Sequence, residues 1–272
     1  MPWTRFARSM VRDSGDRKDF GSITERPGLR ISSLQFEREV HRYQFAGRWV
    51  RGNDVLEVAC GSGQGLGYLG ARARRLVAGD IDQGNLRLAR AHYGLRVPLV
   101  RLDAMYLPFA GHSFDVIVAL EAIYYVSDSA RFVTECRRVL RPGGTLVLAT
   151  VNRAWHGFIR SPFGAVYLDS RELGILLAES GFDPEVYGAF RDSTSPPARA
   201  RSVLRRLATR MGFIPGSLAA RAVLKRAFYG RLRSQPAELP TTAASVEELT
   251  LLDPCRHDER HSILYAIGHR VG

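Results

Sequence analysis

Residues 54–67, Asp-Val-Leu-Glu-Val-Ala-Cys-Gly-Ser-Gly-Gln-Gly-Leu-Gly, constrain the fold more than any other stretch of the chain. Val55 to Ala59 are apolar apart from Glu57, the pattern of a strand buried on both faces of a parallel sheet. The strand runs into Gly61, Gly63 and Gly65, and a helical stretch follows from about Gln64. A strand that opens through glycines into a helix lets a ligand approach the backbone, because no Cβ stands in the way. Further on, a second apolar strand, Arg75–Gly79, ends in Asp80. A carboxylate there can accept hydrogen bonds from both ribose hydroxyls of a nucleoside.

Apolar periodicity extends this start along the chain. Helices are predicted over Leu34–Val50, Leu66–Ala73, Gly84–Tyr93 and Ser129–Leu140, with a further one from a Ser170 cap to Gly181. Between them, Val97–Leu102, Ser113–Leu120, Gly144–Val151, Val186–Phe190 and Ser262–Arg270 read as strands, which makes seven with the first two. Strands alternating with helices predict an α/β fold, a doubly wound and mostly parallel seven-stranded sheet.

Two nucleoside cofactors suit a glycine turn followed by an acidic strand end. The nicotinamide fingerprint G-x-G-x-x-G requires glycine where this chain has Leu66. The string E-x-A-C-G-x-G-x-G at 57–65 instead resembles motif I of the class I S-adenosylmethionine-dependent methyltransferases. Asp103-Ala-Met-x-Leu-Pro-Phe, Ser113-Phe-Asp-Val-Ile-Val and Arg141-Pro-Gly-Gly-Thr-Leu-Val-Leu follow in the order of that family's later motifs. The resemblance covers roughly residues 34–190 and the final strand, and implies a Rossmann-like sheet whose last strand is antiparallel, inserted between the fifth and sixth.

It also implies a cofactor, S-adenosyl-L-methionine, and residues to hold it. Arg42 and Tyr43 are the pair expected at the methionine carboxylate; the other reading is a core Tyr43 with solvated arginines. Glu57 is expected to orient the amino group, Ala59, Gly61 and Gly63 to offer backbone, and Asp80 to hold the ribose. Asp103 is expected at the adenine amino group, the Ala104–Met105 backbone at the ring edge, and Ile81 with Met105 across the ring faces; a turn residue and ordinary core side chains are the plain alternatives. Ligands of open parallel sheets bind at the carboxyl ends of strands, which directs Glu121, Tyr124 and Tyr125 to the methyl-acceptor side. His156, after the fifth strand, is a candidate general base because imidazole titrates near neutral pH; an incidental loop histidine is the alternative. Glu121 and Tyr124 are the other catalytic candidates. His257 and His261 have a spacing that can hold zinc on a helix, yet no full ligand set accompanies them, and no metal is expected.

The charge is uneven. The chain is formally +12, and between Arg191 and Arg233 eleven Lys or Arg stand against one acid, Asp192. There Val203, Leu204, Leu207 and Met211 keep helical spacing, Gly212–Gly216 interrupts it, and Leu218–Arg231 resumes it. The predicted organisation is therefore a flexible segment at 1–33, a core at 34–190, a basic helical insertion at 191–259 and the final core strand at 260–272. Cys60, Cys136 and Cys255 form no paired framework, no apolar run reaches eighteen residues, and the N-terminus has no apolar signal core. A cytoplasmic protein is expected, peripheral at the inner membrane surface if the arginines at 196–233 meet anionic lipid.

No Asn/Asp-Pro-Pro-Tyr/Phe follows the fourth strand and no Pro-Cys or Thr-Cys the fourth or fifth, which argues against methylation of adenine nitrogen or of a base carbon. The Asn152-x-x-Trp155-x-x-Phe158-x-x-Ser161-Pro-Phe163 string is similar to methyltransferases of bacterial polysaccharide and glycolipid gene sets. The expected function is O-methylation of a glycan, glycolipid or other small amphipathic acceptor. The alternatives are an RNA methyltransferase that grips phosphates through the arginines, and a non-catalytic nucleoside-binding module.

Overall fold

A computed structural model describes residues 26–161, 163–191, 232–253 and 255–272. In chain order its elements are β1 (Arg30–Ser32), α1 (Ser33–Val50), β2 (Asp54–Val58), α2 (Leu66–Gly70), β3 (Arg75–Asp80), α3 (Gln83–Tyr93), β4 (Leu99–Arg101), β5 (Phe114–Leu120), α4 (Ser129–Val139), β6 (Leu140–Val151), α5 (Ser170–Glu179), β7 (Phe182–Arg191), β8 (Leu232–Ser234), β9 (Thr250–Leu251) and β10 (His261–Arg270). Polar side chains start the longer helices. Ser32 and Asp169 form capping boxes with Gln35 and Glu172, and Asp82 and Asp128 cap α3 and α4.

The central sheet runs β4-β3-β2-β5-β6-β10-β7-β9. Its first five strands pair in parallel, and β10 lies antiparallel between β6 and β7. The doubly wound, mostly parallel sheet is thus as expected, with an eighth strand because the two-residue β9 adds to the β7 edge. Alternation along the strands builds a core on each face. Val55, Val116, Val118, Val147 and Tyr265 pack against α1, α2 and α3. Their neighbours Leu56, Ile117, Leu146, Leu148 and Leu264 pack against α4 and α5. Chain order reverses between β2 and β5, so the crevice for a ligand opens beyond their carboxyl ends.

Two expected boundaries change. Ile31, placed in the expected flexible segment, is buried, and Arg30–Ser32 pairs with Leu232–Ser234 in a separate two-stranded sheet; residues 1–25 lie outside the described residues. The expected basic helical hairpin, within 192–231, lies wholly outside them. The described residues of that insertion hold no helix: residues 235–249 run as an irregular strap to β9. Pro236 and Pro240 remove amide donors that a helix there would need. The strap is fastened to the α1–α3 face through Leu239, which is 1% exposed, and through the Ser245 amide, which donates to Gln44 Oε1 at 2.7 Å. No helix among the described residues is long and apolar enough to cross a membrane.

Candidate active site

A cavity of about 480 Å³ lies over the crevice between β2 and β5. Its walls come from α1, the glycine loop, the ends of β3 and β5, and the chain after β4. Both strand ends beside it carry a non-glycine residue in the left-handed region, Ala59 at φ 60° and Glu121 at φ 55°. Each such conformation costs about 1–2 kcal/mol, and both residues line the cavity. Two of the four non-glycine residues with positive φ among the described residues thus flank this space, the other two, His112 and Phe190, lying outside it.

The glycine loop is held from within. The Gly61 amide donates to Asp80 Oδ2 and the Asp82 amide to Asp80 Oδ1, each at 2.8 Å. Burial nevertheless pushes the Asp80 carboxyl above its ordinary range. The Asn85 side chain hydrogen-bonds the same carboxylate, which leaves one of its four lone pairs for a hydroxyl donor. The Gly63 amide donates to Cys60 O at 3.0 Å, and Gly63 O accepts from the Tyr93 hydroxyl at 2.7 Å. Gly63 does not line the cavity, so the expected backbone contact there is corrected: its amide and carbonyl are consumed in shaping the turn. At Gly65 a Cβ would stand 1.9 Å from Tyr43 Cε1, so the bare backbone lets the α1 ring seat directly on the loop.

Behind that ring, Tyr43 donates to Glu57 Oε1, and Glu57 Oε2 has no hydrogen-bond partner among the described residues. Burial, only partly offset by the Tyr43 bond, pushes the Glu57 carboxyl up to about 8, and Asp80 adds to the rise. Glu57 sits behind the cavity wall and not in it, whereas Tyr43 is both a buried core side chain and a lining residue.

On the side of β4, Asp103 Oδ1 accepts from the Met105 amide at 2.9 Å, which folds Asp103–Met105 into a tight turn facing the cavity beside Ile81. Opposite, Glu121 stands between two partners: Arg42 Nη1 lies 3.4 Å from Oε1, and the Tyr124 hydroxyl donates to Oε2 at 2.8 Å. Tyr124 is steadied in turn by stacking on Tyr167, with ring centroids 5.3 Å apart. Arg42, Glu121 and Tyr124 all line the cavity.

His156, expected as a base, does not line it. Asn152 Nδ2, just past β6, donates to Asp258 O at 2.6 Å and His261 O at 2.9 Å, and its Oδ1 accepts from the Ala154 amide. These bonds turn the chain away from the crevice and leave His156 exposed, its Nδ1 3.3 Å from Glu259 O. His257 and His261 face separate carboxylates, Asp169 and Asp258, and no metal-holding group of three occurs among the described residues. Glu39, Gln64, Asn85 and Phe132 line the cavity without having been read from the sequence. Of these only Glu39 left a signal, since it lies one helical turn before Arg42 and Tyr43.

Comparison with known proteins agrees with this geometry. A family profile described as a methyltransferase domain matches residues 56–148, from β2 into β6. A protein of Mycolicibacterium smegmatis described as a probable S-adenosylmethionine-dependent methyltransferase is 37% identical over 163 residues, covering 58% of this chain and 63% of that one. A ubiquinone biosynthesis O-methyltransferase of Dinoroseobacter shibae is 30% identical over 155 residues, covering 49% and 61%. The chain thus spans about three-fifths of the length of these curated relatives. Among solved structures, the cyclase SpnF superposes with a TM-score of 0.58 at 20% identity, covering 91% of this chain and 88% of that one. At that identity the likeness is one of fold.

Proposed function

We infer, from the premise that this chain belongs to the class I S-adenosylmethionine-dependent methyltransferases, that it O-methylates a small acceptor bearing a hydroxyl, of glycan, glycolipid or other amphipathic type. A fold shared with a cyclase does not by itself give methyl transfer, so the reading rests on the site. The observation that carries it is the Arg42–Glu121–Tyr124 cluster in the cavity wall.

S-adenosylmethionine supplies, when bound, a methyl group already activated on a sulfonium. The chain's own task is then to align an acceptor, take up its proton and keep water out. Asp80 would receive the ribose hydroxyls and the Asp103–Met105 turn the adenine edge, while Arg42 and Tyr43 from α1 would close over the methionine end. Glu121, held from two sides, is the group suited to accept the acceptor's hydroxyl proton while its oxygen takes the methyl. Tyr124, Tyr125 and Phe132 give that end apolar walls, which favours a neutral amphipathic acceptor over a phosphate. The O-methyltransferase name of the Dinoroseobacter relative supports oxygen as the atom methylated. The arginines at 196–233 would serve as a contact to an anionic membrane surface presenting the acceptor.

The test has two stages. Calorimetry with S-adenosylhomocysteine is expected to give a Kd that weakens at least tenfold in Asp80→Ala, and equal affinities would refute the ribose assignment. Incubation with labelled cofactor and a fractionated cell extract should then place label in the lipid or glycan fraction. Label entering RNA alone would transfer the protein to the nucleic-acid class, and no label in any fraction would leave it a nucleoside-binding module. Flotation with anionic liposomes at low salt decides the membrane contact.

A further inference from the structure

The glycine loop has four glycines in the seven residues Gly61–Gly67. Such a segment loses more conformational freedom on ordering than any other composition, so a ligand that had to order it would bind weakly. The loop is nevertheless fixed from outside the family-matched region, by the strap. The Leu239 amide donates to Gln64 O at 2.7 Å, and Gln64 lines the cavity. The Leu239 side chain is buried in the same core cluster as Tyr43, Leu66 and Leu69. One residue earlier, Glu238 lies on Gly67 so closely that a Cβ there would stand 1.7 Å from Glu238 Oε1. The carboxylate is held in place by α3: His92 Nε2 is 2.7 Å and Arg96 Nη2 3.4 Å from Glu238 Oε2. Arg72, after α2, donates to another strap carbonyl, Thr241 O, at 3.2 Å.

We propose that Glu238 and Leu239 are positioning residues for the cofactor: they hold the glycine loop from behind, in the shape that receives the nucleoside, and so set cofactor affinity without touching the ligand. The inference rests on reading the cavity as the S-adenosylmethionine site. Neither residue lines the cavity, and both act through residues that do or that adjoin it. Gly67 belongs to the same arrangement. Its missing side chain leaves room for the Glu238 carboxylate between α2 and α3, so the glycine spacing of this loop is matched to the strap as well as to the ligand.

The experiment measures two quantities on the full chain: S-adenosylhomocysteine affinity by calorimetry, and hydrogen exchange of the Gln64–Gly67 amides without ligand. Glu238→Ala should weaken affinity about tenfold and speed exchange across the loop, while the thermal midpoint of the ligand-free protein stays close to wild type, because the side chain is partly exposed. Glu238→Gln, which keeps the packing on Gly67 and an acceptor for His92, should recover most of the affinity. Gly67→Ala should weaken binding on its own, by displacing Glu238, and add nothing in the Glu238→Ala background. Leu239→Ala should give the same loop exchange as Glu238→Ala.

Unchanged affinity and unchanged loop exchange in Glu238→Ala would overturn the proposal, as would additive effects of the two substitutions. An affinity loss that merely tracks a lowered thermal midpoint, and that Glu238→Gln does not recover, would reduce the strap to a stabilising element. If the wild type binds no S-adenosylhomocysteine, the cofactor reading has failed, and exchange at Gln64–Gly67 still decides whether the strap orders the loop.

Discussion

The hydroxyl of Tyr43 donates to Glu57 Oε1 at 2.8 Å, so that one hydrogen bond joins α1 to β2 across the back of the glycine loop. Both side chains are buried, and burial raises both groups, the phenol well above its usual range and the carboxyl to about 8. The bond thus links a cavity-lining helix to the strand that carries the loop, inside a region where an unpaired polar group is expensive.

Removing the donor exposes that expense. Tyr43→Phe leaves Glu57 without a partner on either oxygen, because Oε2 already has none. The loss of a buried hydrogen-bond partner costs about 1–3 kcal/mol. Urea unfolding near neutral pH should record a loss in that range, and a midpoint within error of wild type would contradict the account.

The raised Glu57 carboxyl gives stability a pH dependence of definite sign. Between 4.5, its ordinary value, and about 8, the folded chain holds a proton that the unfolded chain has released. The stabilisation tied to that proton is complete below 4.5 and fades as pH rises toward 8. Glu57→Gln, which mimics the protonated acid and still offers Tyr43 an acceptor, should flatten this part of the profile. Its stability should exceed that of wild type above pH 8 and converge with it toward pH 4.5. Parallel profiles for the two proteins would show that Glu57 is ionised in the fold.

The seating of Tyr43 on the loop predicts a clash. A methyl group at Gly65 would lie 1.9 Å from Tyr43 Cε1, on backbone whose φ of −94° any residue tolerates. Gly65→Ala is therefore a test of packing and not of backbone strain, with overpacking costing about 1–3 kcal/mol. The cost should vanish when the ring is also removed, in Tyr43→Ala. A Gly65→Ala protein as stable as wild type would mean that the ring does not rest there.

What the sequence made legible follows from how each element is stabilised. The parallel strands are buried on both faces, so runs such as Val55–Val58 and Phe114–Ala119 carry an apolar signal interrupted only by Glu57 and Asp115. Asp80, Asp103 and Glu121 were readable because strand ends point to the crevice whatever the loops do. The strap was not: Leu239 is a single apolar anchor between two prolines, and one residue has no period. Strands of two or three residues such as β1, β8 and β9 are equally silent, since pairing and not pattern defines them. The placing of His156 outside the cavity was not readable either, since Asn152 beside it is tied to Asp258 and His261, more than a hundred residues away.

That contrast separates two acid–base candidates. Glu121 lines the cavity with its carboxylate fixed by Arg42 and Tyr124, whereas His156 stands exposed beside Glu259. Positioned general bases contribute about 100- to 10,000-fold to rate. Glu121→Gln keeps the shape and an acceptor for Tyr124 but cannot take a proton. It should lower kcat by a factor within that range while the Kd for S-adenosylhomocysteine stays within a few fold. His156→Ala should leave kcat unchanged, because the imidazole lies outside the cavity. Once a methylated product is in hand, single-turnover rates for the two variants decide the matter: a slow His156→Ala with a normal Glu121→Gln would return the base to the loop after β6 and require that loop to close over the crevice in the working enzyme.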